Sequence, residues 1–196
     1  MKVTAFNGSP HSKGNTFLAL GIVLEELKKE GIETEIVQVG GQIIHPCKVC
    51  LKCRQKKDGL CYGYENEKDD ILNECLAKMY NSEGIIIGSP VYFGSLTPET
   101  KALIDRSGYV ARGMDKNPLK RKVAAGVAVV RRQGAVATLE QINNFFYLNE
   151  VIVPCSTYWN MAIGREIGEI LNDKEGVNTL KNLGINMAWL LKKLYC

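Results

Sequence analysis

Short β-branched runs alternate with stretches of helical periodicity along the whole chain, and this alternation constrains the fold more than any other feature. Val3 to Phe6 is an apolar run that stops at a glycine-containing turn. Thr16 to Glu30 brings Leu18, Ile22 and Leu27 near one helical face and ends at Gly31. Glu33 to Val39 alternates as a second strand. Lys68 to Tyr80 predicts a helix, with Asp69 and Asp70 favourable in its first turn. Gly84-Ile-Ile-Ile-Gly88 predicts a third, buried strand. Thr97 to Arg106 is helical, with Pro98 suited to the first position. Val123 to Val130 is a fourth buried strand, and Leu139 to Leu148 lies within another helix. Val151 to Val153 is expected as a short fifth strand, and Asn178 to Tyr195 as an amphipathic terminal helix.

This order predicts an α/β fold, a doubly wound parallel sheet with helices on both faces. Five strands suit the order 2-1-3-4-5. In such sheets ligands bind beyond the carboxyl ends of the strands, where the order reverses between strands 1 and 3. The 196 residues suit a single domain, 1–196, and a composition 45% hydrophobic and 23% charged argues against general disorder. A net charge of +4 is mild, and no basic run is interleaved with aromatics, so nucleic acid is not an expected partner. No apolar run approaches about twenty residues, so no membrane span is expected. The N-terminus reads as a strand rather than a signal peptide, and a cytoplasmic location follows as the expectation.

The segment Asn7-Gly-Ser-Pro-His-Ser-Lys-Gly-Asn-Thr16 joins the first strand to the first helix. Two glycines allow backbone amides to approach an anion. Ser9, Ser12, Asn15 and Thr16 are short donors, and the helix start aims its free amides and dipole at the same point. The spacing matches neither the G-x-G-x-x-G fingerprint nor a G-K-[ST] ending, so a monophosphate fits better than a pyrophosphate. A polar turn with an Asn or Thr helix cap is the plainer reading. After the third strand, Ser89-Pro-Val-Tyr-Phe-Gly-Ser-Leu-Thr97 occupies the other side of the crevice. Tyr92 and Phe93 can offer flat apolar surface to a planar ring, or can be core residues; their place at the switch point favours the ring.

Seven cysteines in a chain of this kind point to metal or redox chemistry rather than disulfides. Cys47, Cys50, Cys53 and Cys61 form C-x2-C-x2-C-x7-C within the one long irregular stretch, 45–67, after the second strand. Two-residue spacings let neighbouring sulfurs face one centre, and four local thiolates meet the needs of a [4Fe-4S] cluster. Structural zinc, which ordinarily uses two separated knuckles, is one alternative, and free or redox-active thiols are the other. Because it follows the second strand, this loop is expected on the same carboxyl edge as the phosphate loop. Cys75 is expected in the core.

The pairing of Gly8-Ser-Pro-x-x-x-Gly-Asn-Thr16 with Ser89-Pro-Val-Tyr-Phe-Gly-Ser95 and Lys101-Ala-Leu-Ile-Asp-Arg106 resembles the flavodoxin-like NAD(P)H-dependent FMN reductase superfamily. With the compact cysteine run, the chain resembles the iron–sulfur flavoproteins within it. The resemblance implies a flavodoxin-like fold with the FMN phosphate held by Ser9, Pro10, His11, Ser12, Asn15 and Thr16. It implies the flavin ring near Pro90, Val91, Tyr92, Phe93 and Gly94, and a [4Fe-4S] cluster on Cys47, Cys50, Cys53 and Cys61. Arg131 and Arg132, after the fourth strand, are expected to favour a reduced anionic flavin or to make a subunit contact. Their loop departs from the family pattern, because apolar residues replace a Gln-Glu pair. The resemblance further implies a homo-oligomer, dimer or tetramer, passing electrons from a ferredoxin-like donor to a small acceptor such as oxygen, peroxide or quinone. No catalytic side chain is assigned, and Asp105 and Arg106 are expected to be structural. The alternatives are a cluster-free NAD(P)H-dependent FMN or quinone reductase, and a zinc-stapled, non-enzymatic binding module.

Overall fold

The computed structural model describes residues 1–66 and 69–196. The expected start of the third segment's helix at Lys68 and the last residue of the 45–67 loop therefore lie outside the described residues. In chain order the elements are β1 (Lys2–Asn7), α1 (Asn15–Lys29), β2 (Glu33–Gln38), α2 (Lys52–Lys56), α3 (Leu72–Tyr80), β3 (Gly84–Pro90), α4 (Pro98–Ala111), β4 (Val123–Val130), α5 (Ala135–Leu148), β5 (Met161–Ile163) and α6 (Lys174–Tyr195). All five strands are parallel, in the order β2-β1-β3-β4-β5.

Strand pleating sorts the core into two layers. Val3, Ala5, Ile86, Ala125 and Val127 face α1 and α6, meeting Leu20, Val23, Leu27, Leu183 and Met187. Phe6, Ile85, Ile87 and Ala124 point the other way, against Leu76 and Met79 of α3, Leu103 of α4 and Phe146 of α5. Every residue of β4 is buried, as a central parallel strand requires. Each large aliphatic side chain buried in this way contributes roughly 1.5–3 kcal/mol.

Three local expectations are corrected. The fifth strand is Met161–Ile163, not Val151–Val153; Ile152 makes only an isolated bridge to Val123. Pro154 has no N–H to continue a ladder. The chain leaves the sheet there and returns where the Ala128 N–H donates to Asn160 O at 2.9 Å. Asp70 precedes α3 rather than lying in its first turn, and its carboxylate accepts the Leu72 N–H at 3.1 Å. Finally, helix α4 continues past Arg106 to Ala111, because Leu103, Ser107, Val110 and Ala111 keep a buried stripe going.

Candidate functional site

Parallel pairing brings the ends of all five strands to one edge, and three loops meet there. Gly8 N–H donates to Gly88 O at 2.8 Å, so the loops after β1 and β3 start side by side. The Thr97 hydroxyl then donates to Gly8 O at 2.8 Å while capping α4. Ser9 is buried; its Oγ accepts the His11 N–H at 3.2 Å, and its carbonyl accepts from Gln38 Nε2 at 2.6 Å. Thr16 is buried as well, whereas Pro10, His11 and Ser12 are exposed at the loop's crest. No side chain caps α1, and its first intrahelical bond runs from Leu18 N–H to Gly14 O at 3.1 Å. By helix geometry the amides of Asn15, Thr16 and Phe17 have no partner inside the helix. The 15-residue α1 therefore presents an uncapped, positive end inside a fixed polar loop, which fits a phosphate. The Asn15 side chain is engaged elsewhere. Its Nδ2 donates to Glu166 O at 2.8 Å, and its Oδ1 accepts the Gly168 N–H at 2.7 Å.

Across the crevice, Tyr92 and Phe93 are not core residues. Tyr92 and Ser95 close a tight turn through reciprocal backbone bonds of 2.8 and 3.0 Å. Phe93 sits at its tip, fully exposed, with a positive φ of 49°. Such a conformation is uncommon away from glycine and often marks a functional loop. Gly134 begins α5 with φ 96°, and a Cβ there would lie 2.7 Å from Val91 Cγ1 and 3.0 Å from Gly94 Cα. Glycine is thus required where the β4 loop touches the β3 loop. Arg131 and Arg132 are exposed in that β4 loop. The apolar residues that replace the family's polar pair form the first turn of α5, with Ala135 buried.

The cysteine loop goes elsewhere than expected. It leaves the carboxyl edge at Gly40 and Gly41, but its sulfurs settle beside the second half of α4. Cys47, Cys50, Cys53 and Cys61 line one small cavity with Tyr64, Arg106, Tyr109 and Val110. Arg106 is eight residues into α4, so this cavity is about 12 Å along the helix from the loop after β3. The loop is short of regular structure and is held by side chains. Asn73 of α3 clasps Cys61, accepting its N–H at 2.8 Å and donating to its carbonyl at 3.1 Å. Tyr64 stacks on His45 with ring centroids 4.4 Å apart, and Lys48 Nζ lies 4.3 Å from the Tyr64 centroid. Val49 and Leu51 flank Cys50 with φ of 52° and 62°. A β-branched residue in the left-handed region persists only where its surroundings over-determine it.

Below the sulfurs lies a buried ion pair. Arg106 Nη1 donates to Asp70 Oδ2 at 2.6 Å and to His45 O at 3.1 Å. Asp70 also accepts the His45 N–H at 3.1 Å. Arg106 Nη2 donates to Cys61 Sγ at 3.2 Å, and its Nε–H has no acceptor among the described residues. Burial works against the Arg106 charge, but the bonds to Asp70 and Cys61 outweigh it and hold the group above its ordinary pKa. Burial, together with neighbouring Cys61 and Cys50, pushes the Cys53 thiol up. Four thiols around one cavity, with a buried cation and an orphaned donor lining it, fit a thiolate-ligated cluster whose own sulfur atoms accept hydrogen bonds. Among the described residues, no three of His, Cys, Asp and Glu are gathered tightly enough to grip a single metal ion.

Sequence reading took Arg106 as structural and Asp70 as a helix-start residue, but did not foresee that the two pair beside the cysteines. The available signal was an arginine spaced three and four residues from Leu103 and Val110 on an apolar helical face. A charge in that position needs a buried partner. Asp105, its neighbour, does what was expected of it, pairing with Lys101 on the exposed face at 2.5 Å. Cys75 is buried in the core, and Cys155 and Cys196 are exposed.

Comparison with known proteins bears on the family and the fold. Residues 1–165 match the family model for NADPH-dependent FMN reductases. An iron–sulfur flavoprotein of Methanocaldococcus jannaschii is 37% identical over 199 residues, covering 98% of both chains. An iron–sulfur flavoprotein of Methanosarcina thermophila is 35% identical, covering 78% of this chain and 76% of its own. Among solved structures, RosB with bound 8-demethyl-8-formylriboflavin-5'-phosphate superposes with a TM-score of 0.74 at 20% identity, covering 99% of this chain and 80% of that one. An archaeal flavodoxin gives 0.61 at 11% identity, covering 98% and 99%. At those identities the two structures speak for the fold.

Proposed function

The chain belongs to the NADPH-dependent FMN reductase family and, within it, to the iron–sulfur flavoproteins, and from that premise we propose that it passes electrons between a cluster and FMN. It is an FMN-dependent oxidoreductase with a flavodoxin-like fold. The finer reading is a [4Fe-4S] cluster on Cys47, Cys50, Cys53 and Cys61, a ferredoxin-like donor, and a small acceptor such as oxygen, peroxide or quinone. The observation that carries it is the gathering of those four cysteines around one cavity lined by a buried arginine. When bound, FMN supplies both one- and two-electron chemistry and the cluster carries single electrons.

Each part of the chain then has a task. The uncapped start of α1 binds the FMN phosphate through backbone amides, with Ser9, Pro10, His11, Ser12 and Thr16 shaping the loop. Asn15 contributes its backbone amide, because its side chain is committed to the segment 166–168. Pro90, Val91, Gly94 and the exposed rings of Tyr92 and Phe93 hold the flavin ring. Arg131 and Arg132 offset negative charge that develops there. Residues 1–196 act as one domain, with the cluster loop 45–67 inserted after β2. We place the protein in the cytoplasm; no helix of the described residues is long and apolar enough to cross a membrane. A homo-oligomer, dimer or tetramer, accounts for exposed Tyr158, Trp159, Ile163 and Ile167 beside the edge strand β5.

One experiment tests this reading: absorption, flavin, metal and acid-labile sulfide analysis of anaerobically purified protein. FMN together with iron and sulfide in the proportion of a [4Fe-4S] cluster is expected. FMN without iron or sulfide, with fast flavin reduction by NAD(P)H alone, would select the cluster-free reductase. Family membership leaves no room for the non-enzymatic binding module.

A further inference from the structure

We propose that Arg106 is a positioning and potential-setting residue for the cluster, donating an N–H···S bond to the Cys61 ligand and, through its Nε–H, a second bond towards the group inside the cavity. The inference rests on the cluster reading above. It has four supports. The Arg106 guanidinium is almost fully buried and lines the same cavity as the four cysteines. Its Nη2 already lies 3.2 Å from Cys61 Sγ. Its Nη1 is held by Asp70 at 2.6 Å and by His45 O, so the fork cannot swing away. Its Nε–H is buried without an acceptor among the described residues, although both Nη atoms are bonded.

The chemistry sets the direction of the effect. Reducing the cluster adds one electron and no proton, and the extra negative charge spreads over the irons, the sulfides and the ligand thiolates. A fixed cation donating to one of those thiolates stabilises the reduced form more than the oxidised form, and so raises the reduction potential. Asp70 neutralises part of the arginine charge, but it binds Nη1, whereas the sulfur contact is made by Nη2. The directed N–H···S bond therefore persists even where the net charge of the pair is small. Lys48 and Arg54 also carry positive charge near the loop. Their ammonium and guanidinium groups rest on the Tyr64 and Tyr109 rings, 4.3 Å from each centroid, rather than on a sulfur.

The test uses anaerobically prepared holoprotein, and its first step is the iron and sulfide content of the unaltered chain. If neither is present, the cluster reading fails and this inference falls with it, before any variant is made. Where the cluster is present, pulsed EPR of its reduced form in protein grown with 15N-arginine should show coupling to guanidinium nitrogen and to exchangeable protons. Arg106→Lys keeps the charge beside Asp70 but cannot reach both Asp70 and Cys61. With iron, sulfide and FMN contents unchanged, its cluster potential should shift negative while the flavin potentials stay where they were. No 15N coupling in the native protein, or an unshifted cluster potential in the variant, overturns the proposal. If the variant does not fold, the native 15N measurement alone decides.

Discussion

Arg106 on α4 and Asp70 at the start of α3 form an ion pair of 2.6 Å, with side chains only 2% and 4% exposed. The pair closes the cysteine loop. Asp70 binds the N–H of His45 and Arg106 binds its carbonyl, so the chain entering the loop and the chain leaving it are fastened to one helix. The sulfurs are thereby organised by two residues that lie outside the cysteine motif.

Asp70→Asn should be strongly destabilising. It leaves Arg106 buried without a counter-charge, and breaking such a pair costs roughly 3–5 kcal/mol. The asparagine oxygen can still accept the Leu72 N–H, so that local bond at the start of α3 is kept. Urea unfolding of the two apoproteins measures the difference. A loss below about 1 kcal/mol would mean that the pair does not close the loop.

Gly134→Ala tests the contact between the β4 and β3 loops. The left-handed backbone at this position costs a side chain about 1–2 kcal/mol, and its Cβ would press Val91 and Gly94. FMN affinity, followed by quenching of flavin fluorescence on titration of the apoprotein, should fall by roughly tenfold. Unchanged affinity in a folded variant would remove residues 91–94 from the flavin site.

Thiol reactivity separates the core cysteine from the rest. Burial pushes the Cys75 thiol up to about 12. Iodoacetamide at mildly alkaline pH should therefore modify exposed Cys155 and Cys196 in the folded protein and leave Cys75 untouched until denaturant is added. Peptide mass analysis reads this directly; early labelling of Cys75 would contradict the packing described.

Glu35 gives the acid limb of the stability profile. Burial raises its pKa, but bonds to Lys78, Thr4 and Lys2 outweigh that, and the net shift is downward from 4.5. A depressed carboxylate stabilises the fold above its unfolded pKa and loses that contribution as the pH falls through its folded value. Denaturation midpoints should drop below about pH 4.5, and Glu35→Gln should flatten the drop. Because the group is partly solvated, the effect should stay within about 1 kcal/mol.

Much of the fold was legible because its signals are local. The buried strand Val123–Val130 and the helix that starts after Gly14 follow from hydrophobic period and turn chemistry, and the sheet order follows from their alternation. Val151–Val153 misled because its β-branched run carries no mark of the Pro154 excursion that carries the edge strand on to Met161–Ile163. Within the candidate site, the polar loop before α1 and the spacing of the four cysteines could likewise be read directly.

What the sequence by itself determined, then, is a parallel α/β sheet, a polar, glycine-containing loop after its first strand and four closely spaced thiols after its second. Tertiary structure alone decided where those thiols go: beside the second half of α4, about two turns from the loop after β3 rather than on the same edge. It also decided that Arg106 and Asp70, 36 residues apart, hold them there. The physical reason is that periodicity records which side chains must leave water, whereas the partner of a buried charge is set by long-range packing that no local pattern encodes.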